Sequence, residues 1–402
     1  MTMRQAWIGF QAVILAVAAQ SLIGINVHAQ SVDMRAAAQA KAKGAQQARA
    51  FADPPVPQAS AVGNYSVFDV PGATGTFPTS INLEGTITGS FNDANGVSHG
   101  FLRFADGAIT TFDVPFGNVY GTSPASISLT GAVTGSYADA NGVGHGFLRA
   151  AGGVTVTFDA QGATNGTYPA AISPTGEVVG YFIDANNVFH GFFRRPNGNL
   201  STFDAPGASG TTLPLGIAAL GTIAGVDGPF PSLGGFLRNI NGAFTSFNPP
   251  GPIGAGDFYG DMTFLVNPEG VIAGSYFQTI AGNPFGGNYQ IFIRALDGTI
   301  TTFATGNNTP CCSWSCPTGI NLENVIVGLN NDGYNVNHGF LRAPNGSITT
   351  FDAPGAGVGF NQGTIPLGIT SLGEIMGRFR DSGGVSHGFT LTPQWPALSA
   401  AR

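Results

Sequence analysis

The sequence is poor in charge, in lysine and in cysteine, and each shortage excludes a class of protein. Charged residues make up 9% of the 402 residues, too few for a disordered or coiled-coil chain, whereas 43% hydrophobic residues can fill a large core. Both lysines, Lys41 and Lys43, lie near the N-terminus. Residues 65–393 contain 9 arginines, no lysine and 20 acidic residues, a net charge of −11. Because nucleic acids and anionic membranes are bound by basic surfaces, we expect neither as a partner.

Familiar catalytic and metal-binding motifs are also missing. The chain contains no Gly-x-Ser-x-Gly elbow, no His-Glu-x-x-His pair, no phosphate-binding Walker loop and no Cys-x-x-Cys pair. We therefore predict no catalytic residue, no metal centre and no required cofactor. Calcium at the acidic turns is left open.

The three cysteines, Cys311, Cys312 and Cys316, lie close together in the sequence. In an exported chain, Cys316 is expected to form a disulfide with Cys311 or Cys312, and we take Cys312 with Cys316 as the candidate pair. Free thiols are one alternative. A zinc site is another, but it would need a fourth ligand that the neighbouring sequence does not supply.

The N-terminal region predicts export. Residues 1–29 carry a positive charge near the start, at Arg4, continue through a mostly apolar stretch and end in a small residue, as a signal peptide does. An uncleaved N-terminal anchor is the alternative, and the mature form is expected to have no membrane span. Residues 30–63 are rich in Ala, Gln and Pro and predict a solvated linker, or else a helix that docks a partner. Residues 394–402 form a short C-terminal tail.

Glycine and proline are abundant, with 61 and 26 residues, and they separate the units of a repeat. One marker is a Phe that recurs every 44 to 56 residues, at Phe68, Phe112, Phe158, Phe203, Phe247, Phe303 and Phe351. A second marker is the triplet His-Gly-Phe, which begins at His99, His145, His190, His338 and His387. Seven units of this length indicate a repeat array.

Each unit predicts four short strands. In the first unit these are residues 79–82, 86–91, 99–103 and 109–113, separated by Glu-Gly, Asn-Gly and Asp-Gly turns. Four strands in about 45 residues is the period of a β-propeller blade. The predicted fold is therefore all-β, a seven-bladed β-propeller over residues 64–393, with a parallel β-helix as the main alternative.

The two ends of the array complement each other. The last unit stops at Pro393 without a fourth strand, and residues 65–69 form an unassigned strand before the first unit. An N-terminal strand that completes the C-terminal blade would close the ring and cover its exposed edges.

The units resemble the HAF repeats of bacterial extracellular proteins. The resemblance covers residues 64–393 and is clearest in residues 319–321, 325–328 and 338–342, with sequences Gly-Ile-Asn, Val-Ile-Val-Gly and His-Gly-Phe-Leu-Arg. The name-giving triplet carries Gly here in place of Ala. The resemblance implies export and a propeller-like fold, and it implies no shared catalytic residues.

The repeated polar residues suit a structural role. Each repeated histidine follows an aspartate by six residues, as in Asp93 and His99, and the carboxylate is expected to accept the His Nδ1 proton. Five copies in separate blades cannot converge on one ion, although five weak cation sites are an alternative. The aspartate after each repeated Phe is expected to bond its own turn backbone. The repeated arginines, such as Arg103, are expected to pair with turn carboxylates or pack across strands.

Departures from the repeat gather around the fifth unit, in residues 249–262, 278–289 and 304–317. These three loops should share one face of the propeller. The candidate ligand-binding residues are Asp257, Tyr259, Asp261, Phe285, Tyr289 and Trp314. Aromatic rings beside carboxylates suit a sugar, which offers an apolar face and hydroxyl groups. Drift in loop length is the alternative.

The expected function is that of a secreted or periplasmic, non-catalytic module that binds an extracellular glycan or protein. One alternative is a secreted glycan lyase or hydrolase with Asp257 and Asp261 as acid and base. Another is a structural protein of the envelope or matrix.

Overall fold

The computed structural model of the chain describes residues 63–115, 121–207, 210–228, 234–248, 264–280, 283–305 and 315–394. For residues 277–280 and 283–288 only the backbone is described. The secondary structure within these ranges is entirely β, with 28 strands. No helix there has the length and apolar character needed to cross a membrane.

The strands follow one another in groups of four. The first strand and those of sheets one to three are Gly63–Phe68 (β1); Gly75–Ile81 (β2), Ile87–Asn92 (β3), Ser98–Arg103 (β4), Ile109–Phe112 (β5); Thr122–Ile127 (β6), Val133–Ala138 (β7), Gly144–Arg149 (β8), Thr155–Phe158 (β9); Thr167–Ile172 (β10), Val178–Ile183 (β11), Phe189–Arg194 (β12), Leu200–Phe203 (β13). Those of sheets four to seven are Thr212–Ile217 (β14), Ile223–Asp227 (β15), Gly234–Arg238 (β16), Phe244–Phe247 (β17); Phe264–Val266 (β18), Ile272–Ile280 (β19), Asn283–Arg294 (β20), Ile300–Phe303 (β21); Ser315–Ile320 (β22), Ile326–Asn331 (β23), Asn337–Arg342 (β24), Ile348–Phe351 (β25); Gly363–Ile369 (β26), Ile375–Arg380 (β27), Ser386–Pro393 (β28).

Consecutive strands of each group pair antiparallel, as the turn chemistry predicts, and we call each group a sheet. One parallel pair, Asn337 with Gly363, joins the last two groups through β24 and β26. Turn glycines such as Gly198 and Gly346 have φ near +90°, where a side chain would be strained. The last three strands pair in the same way, and β1 pairs with β28 from Gly63–Pro393 to Phe68–Gly388. The first strand in the described chain therefore lies beside the last, and we count β1 in sheet seven.

Proline shapes the first strand of six of the seven sheets, whereas β18 of sheet five contains none. In sheet one, Pro78 pairs with Gly89, and the register shifts before Ser80. Proline has no N–H to donate, so it fits an edge strand with a bulge. Gly89 is required opposite it, because a Cβ there would collide with the backbone carbonyl oxygen of Phe77.

The core lies between neighbouring sheets. The third strand of every sheet contributes a fully buried phenylalanine: Phe101, Phe147, Phe192, Phe236, Phe292, Phe340 and Phe389. The Phe101 ring meets Phe68 of sheet seven edge-on, with centroids 6.3 Å apart. Burying each such side chain contributes about 2 to 3 kcal/mol.

The repeated arginines pack on the same rings. Arg103 Cζ lies 4.7 Å from the centroid of Phe68, so this ring contacts both Phe101 and Arg103 of the next sheet. Equivalent arginines stack in the same way on the preceding sheet: Arg149 on Phe112, Arg194 on Phe158, Arg238 on Phe203, Arg294 on Phe247 and Arg342 on Phe303. Of the two predicted roles, packing across strands is the one observed, because ion pairs in the described residues involve only histidine and aspartate.

The first strands are innermost. Each contacts the first strand of the next sheet, and β26 contacts β2. We call the side with the second-to-third turns and the loops entering each sheet the upper face, and the opposite side the lower face. Toward the lower face, all seven first strands border an axial cavity of about 510 Å³ whose lining contains no charged residue.

Candidate functional site

Most of the residues predicted to bind ligand lie outside the described part of the chain. This holds for Asp257, Tyr259, Asp261 and Trp314. Their grouping around sheet five stays a prediction. The same is true of the disulfide, because Cys312 lies outside the described residues and only Cys316, buried in β22, is described.

The segment 278–289 is not the loop that the sequence predicted. Its residues extend β19 and β20 into a long hairpin that projects from the upper face, with Gln278 paired to Asn288 and Thr279 to Gly287. Phe285 lies in β20 with only its backbone described, and Tyr289 pairs with Phe277. The segment contains three glycines, two asparagines and a proline, residues that strands disfavour, so its pattern indicated a loop. The structure nevertheless continues the backbone pairing of the two strands through it.

The repeated histidines each lie between two carboxylates on the upper face. His99 Nδ1 is 2.9 Å from Oδ1 of Asp113, and its Nε2 is 3.7 Å from Oδ2 of Asp93. The same arrangement recurs in Asp139–His145–Asp159, Asp184–His190–Asp204, Asp332–His338–Asp352 and Asp381–His387–Asp69. The last of these joins β1 to β28.

The prediction that the turn aspartate accepts the Nδ1 proton is wrong. Asp93 Oδ1 accepts the backbone N–H groups of Asn95 and Val97, both at 2.8 Å, and so closes its own turn. Asp113 was expected to bond its own turn but receives the His99 Nδ1 proton. The reason is that the third strand pairs with the fourth, which brings the residue after the fourth strand beside the histidine.

These turn carboxylates do not form an evident metal site. Within the described ranges, no group of three or more His, Cys, Asp or Glu side chains is arranged to hold a metal ion. Calcium at the acidic turns remains an untested prediction.

The residue beneath each histidine distinguishes the sheets. In four of them the imidazole stacks on an aromatic ring, with centroids 4.9 to 5.2 Å apart: Phe91–His99, Tyr137–His145, Phe182–His190 and Phe379–His387. In sheet six the residue paired with His338 is Asn330, which is fully buried. Its Oδ1 accepts from Ser315 Oγ at 2.8 Å, but its Nδ2 has no hydrogen-bond partner among the residues that the structure describes. A buried donor without a partner costs about 1 to 3 kcal/mol, so this position is unfavourable for folding alone.

His338 of the same sheet has a strongly raised pKa. Hydrogen bonds to Asp332 and Asp352 raise the pKa of His338 to about 9. The side chain is therefore positively charged at neutral pH, above the buried amide of Asn330.

Sheet four departs further from the repeat. Asp227 occupies the aromatic position and pairs with Gly234, which replaces the histidine. The residue is only 8% exposed, and burial raises the pKa of Asp227. Asn248 stands where the five histidine-containing sheets have the second aspartate. A Cβ at Gly234 would lie 3.0 Å from Asn248 Oδ1 and 3.8 Å from Asp227 Oδ1, so these two polar side chains meet beside the glycine.

Sheet five keeps the aromatic residue but loses the ion pairs. Tyr276 pairs with Gln290 in place of the histidine, and Ala304 follows the repeated Phe. The departures thus occupy sheets four, five and six on the upper face. Sequence reasoning missed Asp227 and Asn330, although aligning the residues two positions after each second-strand glycine would have found them.

The chain matches no protein-family model, and no curated protein matches it. Solved structures do resemble it. Virginiamycin B lyase from Staphylococcus aureus, in a catalytically inactive form with quinupristin, has a TM-score of 0.53 and 15% identity, over 82% of this chain and 99% of that one.

What these proteins share with the chain is the fold. A streptogramin B lyase has a TM-score of 0.53 and 13% identity, over 82% of this chain and 98% of that one. A prolyl endopeptidase has a TM-score of 0.50 and 9% identity, over 79% of this chain and 47% of that one. The chain is therefore all-β, repetitive and propeller-like, and at these identities the likeness says nothing about activity.

Proposed function

We propose that the seven sheets are the blades of a seven-bladed β-propeller whose ring is closed by β1. The support is the pairing of β1 with β28, together with contacts between successive first strands that return from β26 to β2. Membership of the HAF repeats and export by residues 1–29 remain part of this proposal, as the sequence suggests.

A truncation tests the closure. A chain that begins at residue 70 lacks β1 and leaves the edge of β28 unpaired, so it should aggregate or melt well below a chain that begins at residue 63. A peptide of residues 63–69 added to the shorter chain should restore the midpoint. Equal midpoints without the peptide would refute closure by β1.

We propose that the protein is an exported module that binds an extracellular glycan on the upper face of sheets four to six. The observation that carries this proposal is the concentration of departures there. A residue common to all sheets is explained by folding, whereas Asp227 and Asn330 each place a polar group where folding alone prefers an aromatic ring.

The chemistry of these departures suits sugar hydroxyl groups. An amide N–H can donate to a hydroxyl oxygen, and a carboxyl group can exchange hydrogen bonds with it. The aromatic candidates Tyr259, Tyr289 and Trp314 belong to the same part of the chain and would stack on the sugar face. A protein ligand is the other class that this surface can accept.

Binding is tested by the unfolding midpoint of residues 30–402 against a panel of polysaccharide fragments, because a ligand of the folded state raises the midpoint. Replacing Tyr259, Tyr289 and Trp314 together by Ala should abolish the shift. The matched control replaces three exposed asparagines on the upper face of sheets one to three: Asn95, Asn141 and Asn186. If the aromatic variant still shows the full shift, the placement of the site is wrong.

An enzyme is the second candidate, and Asp227 is the observation that favours it. Burial raises the pKa of Asp227, so its carboxyl group keeps its proton to higher pH than an exposed one, as a general acid requires. Asp257 and Asp261 are the further acid and base candidates. Turnover of a polysaccharide that is lost in Asp227→Asn, Asp257→Asn or Asp261→Asn would establish this reading, and binding without turnover would exclude it.

A further inference from the structure

Arg378 departs from the repeat at a position where the other sheets need no charge. It follows the second-strand glycine of sheet seven, where three sheets have serine, at Ser90, Ser136 and Ser275. The remaining sheets have Tyr181, Val226 and Leu329 there. Arginine is thus not required by the packing of this strand.

The guanidinium of Arg378 has no protein partner among the described residues. It forms no hydrogen bond or ion pair there. Its Cζ lies over the Phe77 ring, 5.7 Å from the ring centroid. The nearest charge acting on it is another cation, Arg380. Arginine has five N–H donors and stays charged, so a largely enclosed arginine is normally paired.

The surroundings of Arg378 are unfavourable for a cation but not closed to solvent. Burial and the charge of Arg380 lower the pKa of Arg378 to about 10. The residue nevertheless keeps intermediate exposure. A guanidinium that is poorly solvated, unpaired and still accessible is suited to receive an anion.

The position of Arg378 places this cation toward the upper face. Phe77 is the third residue of β2, which begins at that face, and β27 packs against β2 across the junction of the last and first sheets. Arg378, on the second strand of sheet seven, therefore lies beside the innermost strand of sheet one, toward the upper face.

We infer that Arg378 binds the carboxylate of an acidic glycan, a polymer that contains uronic acid. This inference rests on the proposed glycan-binding function, names the class of glycan and adds a contact at the junction of sheets seven and one, outside sheets four to six. The guanidinium presents two parallel N–H groups to a carboxylate. The adjacent Phe77 ring favours a sugar acid over a free inorganic anion, because it offers an apolar surface to the pyranose.

Calorimetric titration of residues 30–402 with oligogalacturonate, oligoguluronate and oligoglucuronate tests the inference, with a neutral oligosaccharide and inorganic sulfate as comparison probes. Arg378→Ser restores the residue of three other sheets and should fold. It should weaken binding of the acidic oligomer about 10- to 100-fold, as expected for a lost charged hydrogen-bond pair. Arg378→Lys should give an intermediate loss.

The matched control is Arg380→Ser, which removes an exposed arginine on the same strand whose Nε donates to the Gly384 carbonyl oxygen. It should bind the acidic oligomer like the parent. Absence of acidic binding by the parent, or equal binding by Arg378→Ser, overturns the inference. Sulfate binding as tight as oligomer binding also overturns it, in favour of a simple anion site. Neutral-glycan binding that survives in Arg378→Ser would preserve the proposed function while the inference fails.

Discussion

His338 should make the stability of the protein depend on pH in a way that one substitution reveals. Its pKa is raised from 6.5 to about 9 by hydrogen bonds to Asp332 and Asp352. A rise of that size is equivalent to about 3 kcal/mol in favour of the protonated, folded state. The side chain is 28% exposed, so screening by solvent reduces the expected value to about 2 kcal/mol.

The sign follows from the direction of the change in pKa. Because the folded pKa lies above the unfolded one, the stabilisation is fully present below about pH 6.5 and is lost as the pH rises through about 9. His338→Gln should therefore be less stable than the parent by about 2 kcal/mol at pH 6, with the difference shrinking toward pH 10.

Urea unfolding of both proteins at pH 6, 8 and 10 measures this difference, and an NMR titration of His338 measures the pKa directly. Asp332→Asn is the companion variant, because loss of the first carboxylate should lower the pKa of His338. A difference in unfolding free energy that is constant across pH, or a His338 pKa near 6.5, would refute the reasoning.

Four further substitutions test the packing and the buried charge. Gly89→Ala should prevent folding or lower the free energy of unfolding by more than about 3 kcal/mol, because the new Cβ would meet a backbone carbonyl oxygen. Gly96→Ala has open space around it and should lower that free energy by only about 1 kcal/mol, because of its positive φ. Equal thermal midpoints for the two variants would contradict this. Arg149→Met should lower stability by about 1 kcal/mol by removing the cation 4.9 Å from the Phe112 centroid, as denaturant titration would show. Asp227→Asn should raise the melting midpoint at pH 8 but not at pH 4, because the raised pKa of Asp227 means that its ionised form opposes folding. A lower midpoint at pH 8 would show instead that the charge of Asp227 is paired.

The repeat itself was readable from the sequence because its determinants are local. Alternation of apolar residues, turn glycines and the period of about 45 residues are set within each unit. Strand positions predicted for the first unit agree with β3, β4 and β5 to within a residue. The pairing of residues 65–69 with the last unit was also predictable, since a missing strand and a spare strand were both visible.

Partners of the polar side chains were not readable, because they depend on which strand ends become neighbours. His99 lies six residues after Asp93 but donates its Nδ1 proton to Asp113, which is 14 residues away, since the third strand pairs with the fourth. Likewise, Arg103 stacks on Phe68 only because consecutive sheets pack face to face.

The sequence by itself determined the repeat, the pairing of the two ends and the secondary structure outside the long hairpin of β19 and β20, because these follow from short-range periodicity and turn chemistry. Only the tertiary structure decided that Asp227 and Asn330 are buried and that Arg378 has no partner among the described residues. Burial and pairing are properties of the space between sheets, and that space is defined only when separate units pack against each other.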